Sequence, residues 1–220
     1  MLPVKICCIQ DEDEAALAVS AGATALGLVS AMPSGWGPIP DDRIRAIAAS
    51  VPPFIATVLL SSRTTVPEVI EHVDATGCNT LQLVDDFPIE GYDFLRERFP
   101  HLKILKAVHV IDESSISAAR DLAPHVDAVL LDTGNPHADV KVLGGTGMTH
   151  DWGISARIVE ALAPKPVILA GGLKPHNVAE AVERVRPFAL DLCTGVRSDD
   201  GAGGKALDAD KLRAFFAALS

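Results

Sequence analysis

The sequence predicts an α/β protein with a single (β/α)8 barrel domain over residues 1–220, and three observations support this fold class. Short apolar runs alternate with helix-like stretches along the whole chain, which gives eight strand–helix units. The strand runs are almost continuously apolar, as in parallel strands covered by helices. Glycine turns follow the seventh and eighth strands rather than the first, which favours a barrel over a doubly wound open sheet.

Each predicted strand is a short run rich in apolar and β-branched residues that turn residues bound. In chain order the predicted strands are Val4–Cys8, Ala25–Val29, Phe54–Leu60, Thr80–Val84, Lys103–Val108, Ala128–Leu131, Pro166–Ala170 and Ala189–Leu192. Side chains alternate between the two faces of a strand, so Lys5 and Cys7 should share the interior face. Cys8 should then point towards the helices.

Most predicted helices begin after Asp, Ser, Thr or Pro and end near Gly or Pro, which are the usual capping residues. Asp11 is expected to cap the first helix and Asp208 the last. The predicted helices are Glu12–Ala21, Asp41–Ser50, Val66–Ala75, Ile89–Phe99, Glu113–Leu122, Gly153–Ala163, His176–Val185 and Ala209–Leu219.

Composition narrows the class of protein. The chain has 220 residues, of which 48% are hydrophobic, and a formal net charge of −10, which argues against a nucleic-acid or membrane partner. No apolar run reaches the ~18 residues of a membrane span, and no apolar leader precedes the first strand. The four cysteines (Cys7, Cys8, Cys78 and Cys193) have no disulfide-like or metal-like spacing, so we expect reduced thiols in the cytoplasm.

Two strand ends carry residues suited to proton transfer, because active sites of barrels lie at the carboxyl ends of the strands. Cys7 ends the first strand, and the ammonium of Lys5 on the same face would favour its thiolate as a base or nucleophile. Asp132 follows the sixth strand and is placed as a proton donor. The structural alternatives are a small buried thiol at Cys7 and a loop-capping carboxylate at Asp132.

Glycine turns at two later strand ends indicate a phosphate site. Gly171 and Gly172 follow the seventh strand just before a helix, and Thr194 and Gly195 follow the eighth. Glycines let backbone N–H groups approach a phosphate, and a helix N-terminus supplies the positive end of its dipole. Two structural tight turns are the alternative. The seven histidines have no metal-ligand spacing, so no metal site is expected.

In their order and spacing, several segments resemble the phosphoribosylanthranilate isomerase family of tryptophan biosynthesis, and the resemblance runs from end to end. The segments that carry it are Lys5-Ile6-Cys7, Ala21-Gly22-Ala23, Gln82-Leu83, Lys106-Ala107-Val108, Leu130-Leu131-Asp132-Thr133, Gly144-Gly145-Thr146-Gly147 with Asp151-Trp152, Leu169-Ala170-Gly171-Gly172-Leu173, Val185-Arg186-Pro187-Phe188 and Thr194-Gly195-Val196.

The resemblance implies an Amadori rearrangement of a phosphorylated aminoaldose to an aminoketose. By position, Asp132 would protonate the ring oxygen as the ring opens, and Cys7 would take the C2′ proton. Gly145 would join Gly171, Gly172, Thr194 and Gly195 at the phosphate. No cofactor and no metal are implied, and the partner is a small phosphorylated substrate bound by a monomer or homodimer.

The loop after the second strand departs from the family, which usually has an arginine there to meet the anthranilate carboxylate. Trp36 or Gly35 falls at that place in this chain. Substrate contacts are therefore expected from Lys5, Trp36, Gln82 and Arg197, with Arg63 or His109 as other possible partners of the carboxylate. Two further hypotheses stay open, namely an isomerase of another phosphorylated aminosugar and a non-catalytic barrel that binds a sugar phosphate.

Overall fold

A computed structural model describes residues 2–33, 37–134, 141, 143, 147–201 and 204–219, and eight parallel strands in them form a closed barrel. Each strand pairs with the next, and the first pairs with the eighth, which confirms the predicted (β/α)8 barrel. The strands are β1 (Val4–Ile6), β2 (Ala25–Val29), β3 (Ala56–Ser61), β4 (Thr80–Leu83), β5 (Lys103–His109), β6 (Ala128–Asp132), β7 (Val167–Leu169) and β8 (Ala189–Leu192).

Helices follow the strands and cover the outside of the barrel. They are α1 (Glu12–Ala21), α2 (Asp41–Ser50), α3 (Val66–Thr76), α4 (Gly91–Arg98), α5 (Ser114–Leu122), α6 (Trp152–Leu162), α7 (Val178–Val185) and α8 (Ala209–Ala217). As predicted, Asp11 accepts a hydrogen bond from the Glu14 N–H, and Asp208 accepts from the first turn of α8. Within the described part of the chain, no helix is long and apolar enough to cross a membrane.

The predicted bounds of strands and helices differ from the observed ones by no more than two residues. Backbone geometry and hydrogen bonds explain the differences at the starts of β3 and α7. The prediction that β3 begins at Phe54 is wrong, because Phe54 is fully exposed with a φ of 70° and so lacks strand geometry. The prediction that α7 begins at His176 is also wrong. The Asn177 carboxamide accepts from the Lys174 N–H and donates to the Gly172 carbonyl, which makes a turn before the helix.

The interior of the protein has two layers that follow the alternation of side chains along the strands. Outward-facing residues such as Ile6, Leu28 and Leu131 pack between the strands and the helices. Inward-facing residues such as Val58 and Ile168 fill the barrel itself. The barrel is therefore a packed core, and the strand ends are left to carry the site.

The end of β1 corrects the prediction that Cys8 points to the helices. The strand stops at Ile6, Cys8 has a φ of 64°, and both Cys7 and Cys8 join the interior cluster. The Arg197 guanidinium donates to the carbonyl oxygens of Cys7 and Cys8, at 3.3 and 2.5 Å. Alternation fails here because the chain has already left strand geometry.

A short antiparallel hairpin that the sequence did not predict follows the eighth strand. It pairs β9 (Arg197–Asp199) with β10 (Lys205–Leu207). The buried guanidinium of Arg197 pairs with Glu14 of α1 at 2.8 Å, which ties the hairpin to the first helix. Strands of three residues with several polar side chains give too weak a period-2 signal to predict.

Candidate active site

A buried ion pair lies inside the barrel near the carboxyl ends of the strands. The Lys5 ammonium donates to Asp191 Oδ2 at 2.7 Å and to Gln82 Oε1 at 2.9 Å, and all three side chains are buried. Burial alone would lower the pKa of Lys5, but the charge and hydrogen bond of Asp191, together with the nearby Cys7 and Cys8, outweigh burial and the pKa is raised. Lys5 is therefore a fixed cation at neutral pH, bound to both Gln82 and Asp191.

Asp132 ends β6 as predicted, and its surroundings suit a proton donor. One carboxyl oxygen accepts from the Thr133 N–H at 2.7 Å. Burial raises the pKa of Asp132 to about 7, and the charge of Asp191 adds to this, whereas the Thr133 N–H and Lys5 act in the opposite direction. Asp132 can therefore both hold and release a proton near neutral pH, which is what a general acid requires.

Cys7 lies beside Lys5 in the interior, as predicted, and a glycine on the neighbouring strand makes room for both. A Cβ atom at Gly27 of β2 would lie 2.8 Å from Cys7 Sγ and 2.9 Å from Lys5 Cε. A larger residue at this position would push the thiol and the ammonium out of place.

The neighbouring thiol of Cys8 stays protonated at neutral pH. Hydrogen bonding to Cys193 and to Cys7, together with burial, raises the pKa of Cys8 well above its ordinary value. The same hydrogen bond from Cys8, helped by the charge of Arg197, lowers the pKa of Cys193. Cys8 is therefore held as a thiol and is not the candidate for the base at the end of β1.

The glycine turns after β7 and β8 approach other backbone very closely. Gly171 and Gly172 have φ values of 80° and 63°, and a Cβ at Gly172 would lie 2.5 Å from the Met148 carbonyl carbon. A Cβ at Gly195 would lie 2.0 Å from the Leu173 carbonyl oxygen. The loops after β6, β7 and β8 therefore meet around these glycines, where α7 also begins.

Thr194 lies at this meeting point too, since a Cβ at Gly147 would be 3.3 Å from Thr194 Oγ1. The structure thus brings together four of the five residues predicted to bind phosphate, namely Gly171, Gly172, Thr194 and Gly195. The fifth, Gly145, lies outside the described residues.

The residues expected to contact the substrate lie in different parts of the protein and differ in burial. Gln82 binds Lys5, and Trp36 lies outside the described residues. Arg197 is buried, and its guanidinium donates to Glu14 and to backbone carbonyls of the protein. His109 ends β5 directly opposite Asp132 of β6, and Arg63 is exposed after β3.

Asp191 was not among the residues selected from the sequence. It lies directly opposite Lys5 in the pairing of β1 with β8, and its Oδ1 has no hydrogen-bond partner among the described residues. A charge in the apolar run Ala189–Leu192 is the signal that could have identified it, since a buried carboxylate in a strand needs a partner. No group of His, Cys, Asp and Glu in the described chain could hold a metal ion.

Comparison with known proteins gives a consistent result. Residues 4–218 match the family model for N-(5′-phosphoribosyl)anthranilate (PRA) isomerase. The chain is 40% identical to the N-(5′-phosphoribosyl)anthranilate isomerase of Haloferax volcanii over 223 residues, which is 99% of this chain and 93% of the relative.

Solved structures of similar proteins have the same fold. The phosphoribosyl anthranilate isomerase of Thermotoga maritima superposes with a TM-score of 0.81 at 30% identity, covering 98% of this chain and 97% of that one. A phosphoribosyl anthranilate isomerase in complex with reduced 1-(o-carboxyphenylamino)-1-deoxyribulose 5-phosphate superposes with a TM-score of 0.79 at 28% identity, covering 98% and 96%. From its sequence, its barrel and these relatives, the chain belongs to the phosphoribosylanthranilate isomerase family, a family of isomerases of tryptophan biosynthesis.

Proposed function

We propose that this chain catalyses the Amadori rearrangement of N-(5′-phosphoribosyl)anthranilate to 1-(o-carboxyphenylamino)-1-deoxyribulose 5-phosphate. The observation that carries the proposal is the pairing of a thiol at Cys7 with Asp132, a carboxyl whose pKa is about 7, at the same end of one barrel. A similar isomerase structure contains the reduced form of the proposed product, which fits this substrate class.

The two residues take opposite roles in the reaction. Protonated Asp132 donates to the ring oxygen, the C1′–O bond breaks, and the anilino nitrogen forms an iminium with C1′. The Cys7 thiolate then removes the C2′ proton to give an enolamine, which becomes the ketone when C1′ is protonated and the C2′ hydroxyl loses its proton. General acid–base help of this kind is typically worth ~10²–10⁴-fold for each group.

The buried charges around the pair support these roles. Lys5 lies beside Cys7, while burial and the charge of Asp191 help to keep the proton on Asp132. The charge of Lys5 acts on the pKa of Asp132 in the opposite direction and more weakly than that of Asp191. One cluster of buried charges thus lies beside both residues proposed to move protons.

We propose that the substrate phosphate binds where the loops after β6, β7 and β8 meet. Gly171, Gly172 and Gly195 have no side chain to shield their N–H groups, and Thr194 adds a hydroxyl donor. Gly145 would complete this site from the loop after β6. The N-terminal end of α7 provides a favourable dipole for an anion.

The anthranilate carboxylate requires a cationic or hydrogen-bonding partner in the site. Arg197 is already bound to Glu14, so Arg63 and His109 are better placed candidates. Trp36, in the place of the usual arginine, favours a second function, in which another phosphorylated aminosugar undergoes the same proton transfers. We expect a cytoplasmic enzyme that acts as one domain, as a monomer or homodimer, without nucleic-acid or membrane partners.

Complementation of a tryptophan auxotroph that lacks this isomerase tests the proposal. We expect growth with the parent chain and none with Cys7→Ala or Asp132→Asn. Cys78→Ala is the matched control, because Cys78 is also buried but lies in the outer layer and should support growth. No growth from folded parent protein would overturn the proposed substrate and direct assays to other aminosugar phosphates.

A further inference from the structure

His150 lies at the junction of three segments of the site. Its Nδ1 is 3.1 Å from Thr133 Oγ1, directly after β6, and its Nε2 is 2.7 Å from Ser155 Oγ in α6. A Cβ at Gly171, in the turn after β7, would lie 3.0 Å from the same Nδ1 and 2.4 Å from Thr133 Oγ1. The imidazole therefore connects the segment that carries Asp132 with the turn proposed to bind phosphate.

The imidazole is neutral at physiological pH. Burial lowers the pKa of His150 to about 4, and Asp151, the charged group near it, raises it only in part. A neutral imidazole has one donor and one acceptor nitrogen, and a hydroxyl can complement either. The bridge from Ser155 through His150 to Thr133 is thus satisfied in both tautomers.

Thr133 connects His150 to the proposed general acid, Asp132. Its side chain binds His150, while its backbone N–H donates to Asp132 Oδ1 at 2.7 Å. The peptide between Asp132 and Thr133 is also held by the hydrogen bond from the Val110 N–H to the Asp132 carbonyl, at 3.0 Å. With the Thr133 side chain fixed as well, the N–H has one orientation towards the carboxyl.

We propose that His150 is a positioning residue, which acts through Thr133 to fix the Asp132 carboxyl relative to the Gly171 turn. The inference rests on the proposed function of Asp132 as general acid. Proton transfer depends on the placement of the donor, and groups that orient a catalytic side chain affect rate strongly without touching the substrate.

Two substitutions separate positioning from packing. His150→Phe keeps a ring of similar volume but removes both nitrogens, whereas His150→Asn keeps an amide near the place of Nδ1 and can still reach Thr133. We expect kcat of His150→Phe to fall about tenfold with KM changed less than about twofold, and His150→Asn to recover most of kcat. Ser155→Ala, which removes only the far end of the bridge, should lower kcat less than His150→Phe.

The pH dependence gives a readout that packing alone would not move. The Thr133 N–H stabilises the ionised form of Asp132, so its misplacement in His150→Phe should move the pH at which kcat declines upwards. Asp191 on β8 and Lys5 on β1, the charged groups that act on Asp132, are unchanged in the variant. The protonation of Asp132, followed by ¹³C NMR of labelled carboxyls, should shift in the same direction without substrate.

The outcomes are distinguishable. If the parent rearranges phosphoribosylanthranilate and folded His150→Phe has an unchanged kcat and pH profile, the positioning role is wrong. A rise in KM alone would also overturn it, since that would place His150 in substrate binding. If the parent itself shows no activity, the proposed function fails, while the NMR shift of Asp132 still tests the contact between His150 and the acid.

Discussion

Lys5 and Asp191 form an ion pair across the two strands that close the barrel. The Lys5 Nζ lies 2.7 Å from Asp191 Oδ2, with only 4% and 8% of the two side chains exposed. The residues are directly opposite each other in the pairing of β1 with β8. An ion pair inside a barrel filled mostly by apolar side chains holds charge close to the residues proposed for proton transfer.

Removing one charge of this ion pair should destabilise the protein more than removing both charges together. Lys5→Met leaves the Asp191 carboxylate buried without its cation, and we expect the free energy of unfolding to fall by about 3–5 kcal/mol. The double variant Lys5→Met with Asp191→Leu should be more stable than Lys5→Met alone. Urea unfolding at pH 7 measures the parent, Lys5→Met, Asp191→Leu and the double variant. A double variant whose loss equals the sum of the single losses would show that the two charges do not interact.

The elevated pKa of Asp132 implies that the acid destabilises the folded protein at alkaline pH. Its pKa is about 7 when folded, against an ordinary value of 3.8, so between these values the folded state binds more protons than the unfolded state. Stability is therefore reduced above pH 7, and the reduction disappears as the pH falls towards 4.

Asp132→Asn, which removes the buried charge, should thus be more stable than the parent at pH 8 by about 2–4 kcal/mol, although it is inactive. The difference should become small near pH 4. Urea unfolding of both proteins at pH 8 and pH 4 measures it, with Asp121→Asn as the control because that carboxyl is exposed on α5. A difference that does not change with pH would contradict the buried location of the carboxyl.

The barrel and most of its candidate site could be predicted because local patterns report them. Apolar runs and capping residues lie within single elements, and the fold then places every strand end on one face. Cys7 and Asp132 follow from that placement alone. The turns at Gly171 and Thr194 follow from glycine content next to a helix start.

What could not be predicted depends on contacts between residues far apart in the sequence. The sequence alone does not identify Asp191, because only the pairing of β8 with β1 places it beside Lys5. The position of Cys8 depends on Arg197, which lies on a hairpin with no clear sequence signal. Arg197 in turn pairs with Glu14, 183 residues earlier, and no local pattern contains that information.

Arg197 provides a test of structural role against substrate contact. Because its buried guanidinium binds Glu14 and the carbonyls of Cys7 and Cys8, we expect Arg197→Met to reduce the free energy of unfolding by about 3–5 kcal/mol. Glu14→Gln removes the charge of the other partner, so it should also reduce the free energy of unfolding. Urea unfolding and substrate KM are measured together. A stable Arg197→Met protein with a raised KM would instead place the guanidinium on the substrate carboxylate.

Gly171 tests the proposed phosphate turn against a glycine with similar geometry but open surroundings. Gly171 and Gly201 have φ values of 80° and 76°, so alanine is strained at both, by about 1–2 kcal/mol. At Gly171 the added Cβ would also lie 2.4 Å from Thr133 Oγ1, whereas at Gly201 no described atom lies within 4 Å.

We therefore expect Gly201→Ala to lose only the strain energy in urea unfolding and to bind inorganic phosphate like the parent. Gly171→Ala should lose more stability and bind phosphate at least about tenfold more weakly, because the turn must move away from Thr133 to accept the methyl group. Equal phosphate affinity in the two variants would mean that the anion binds elsewhere on the barrel.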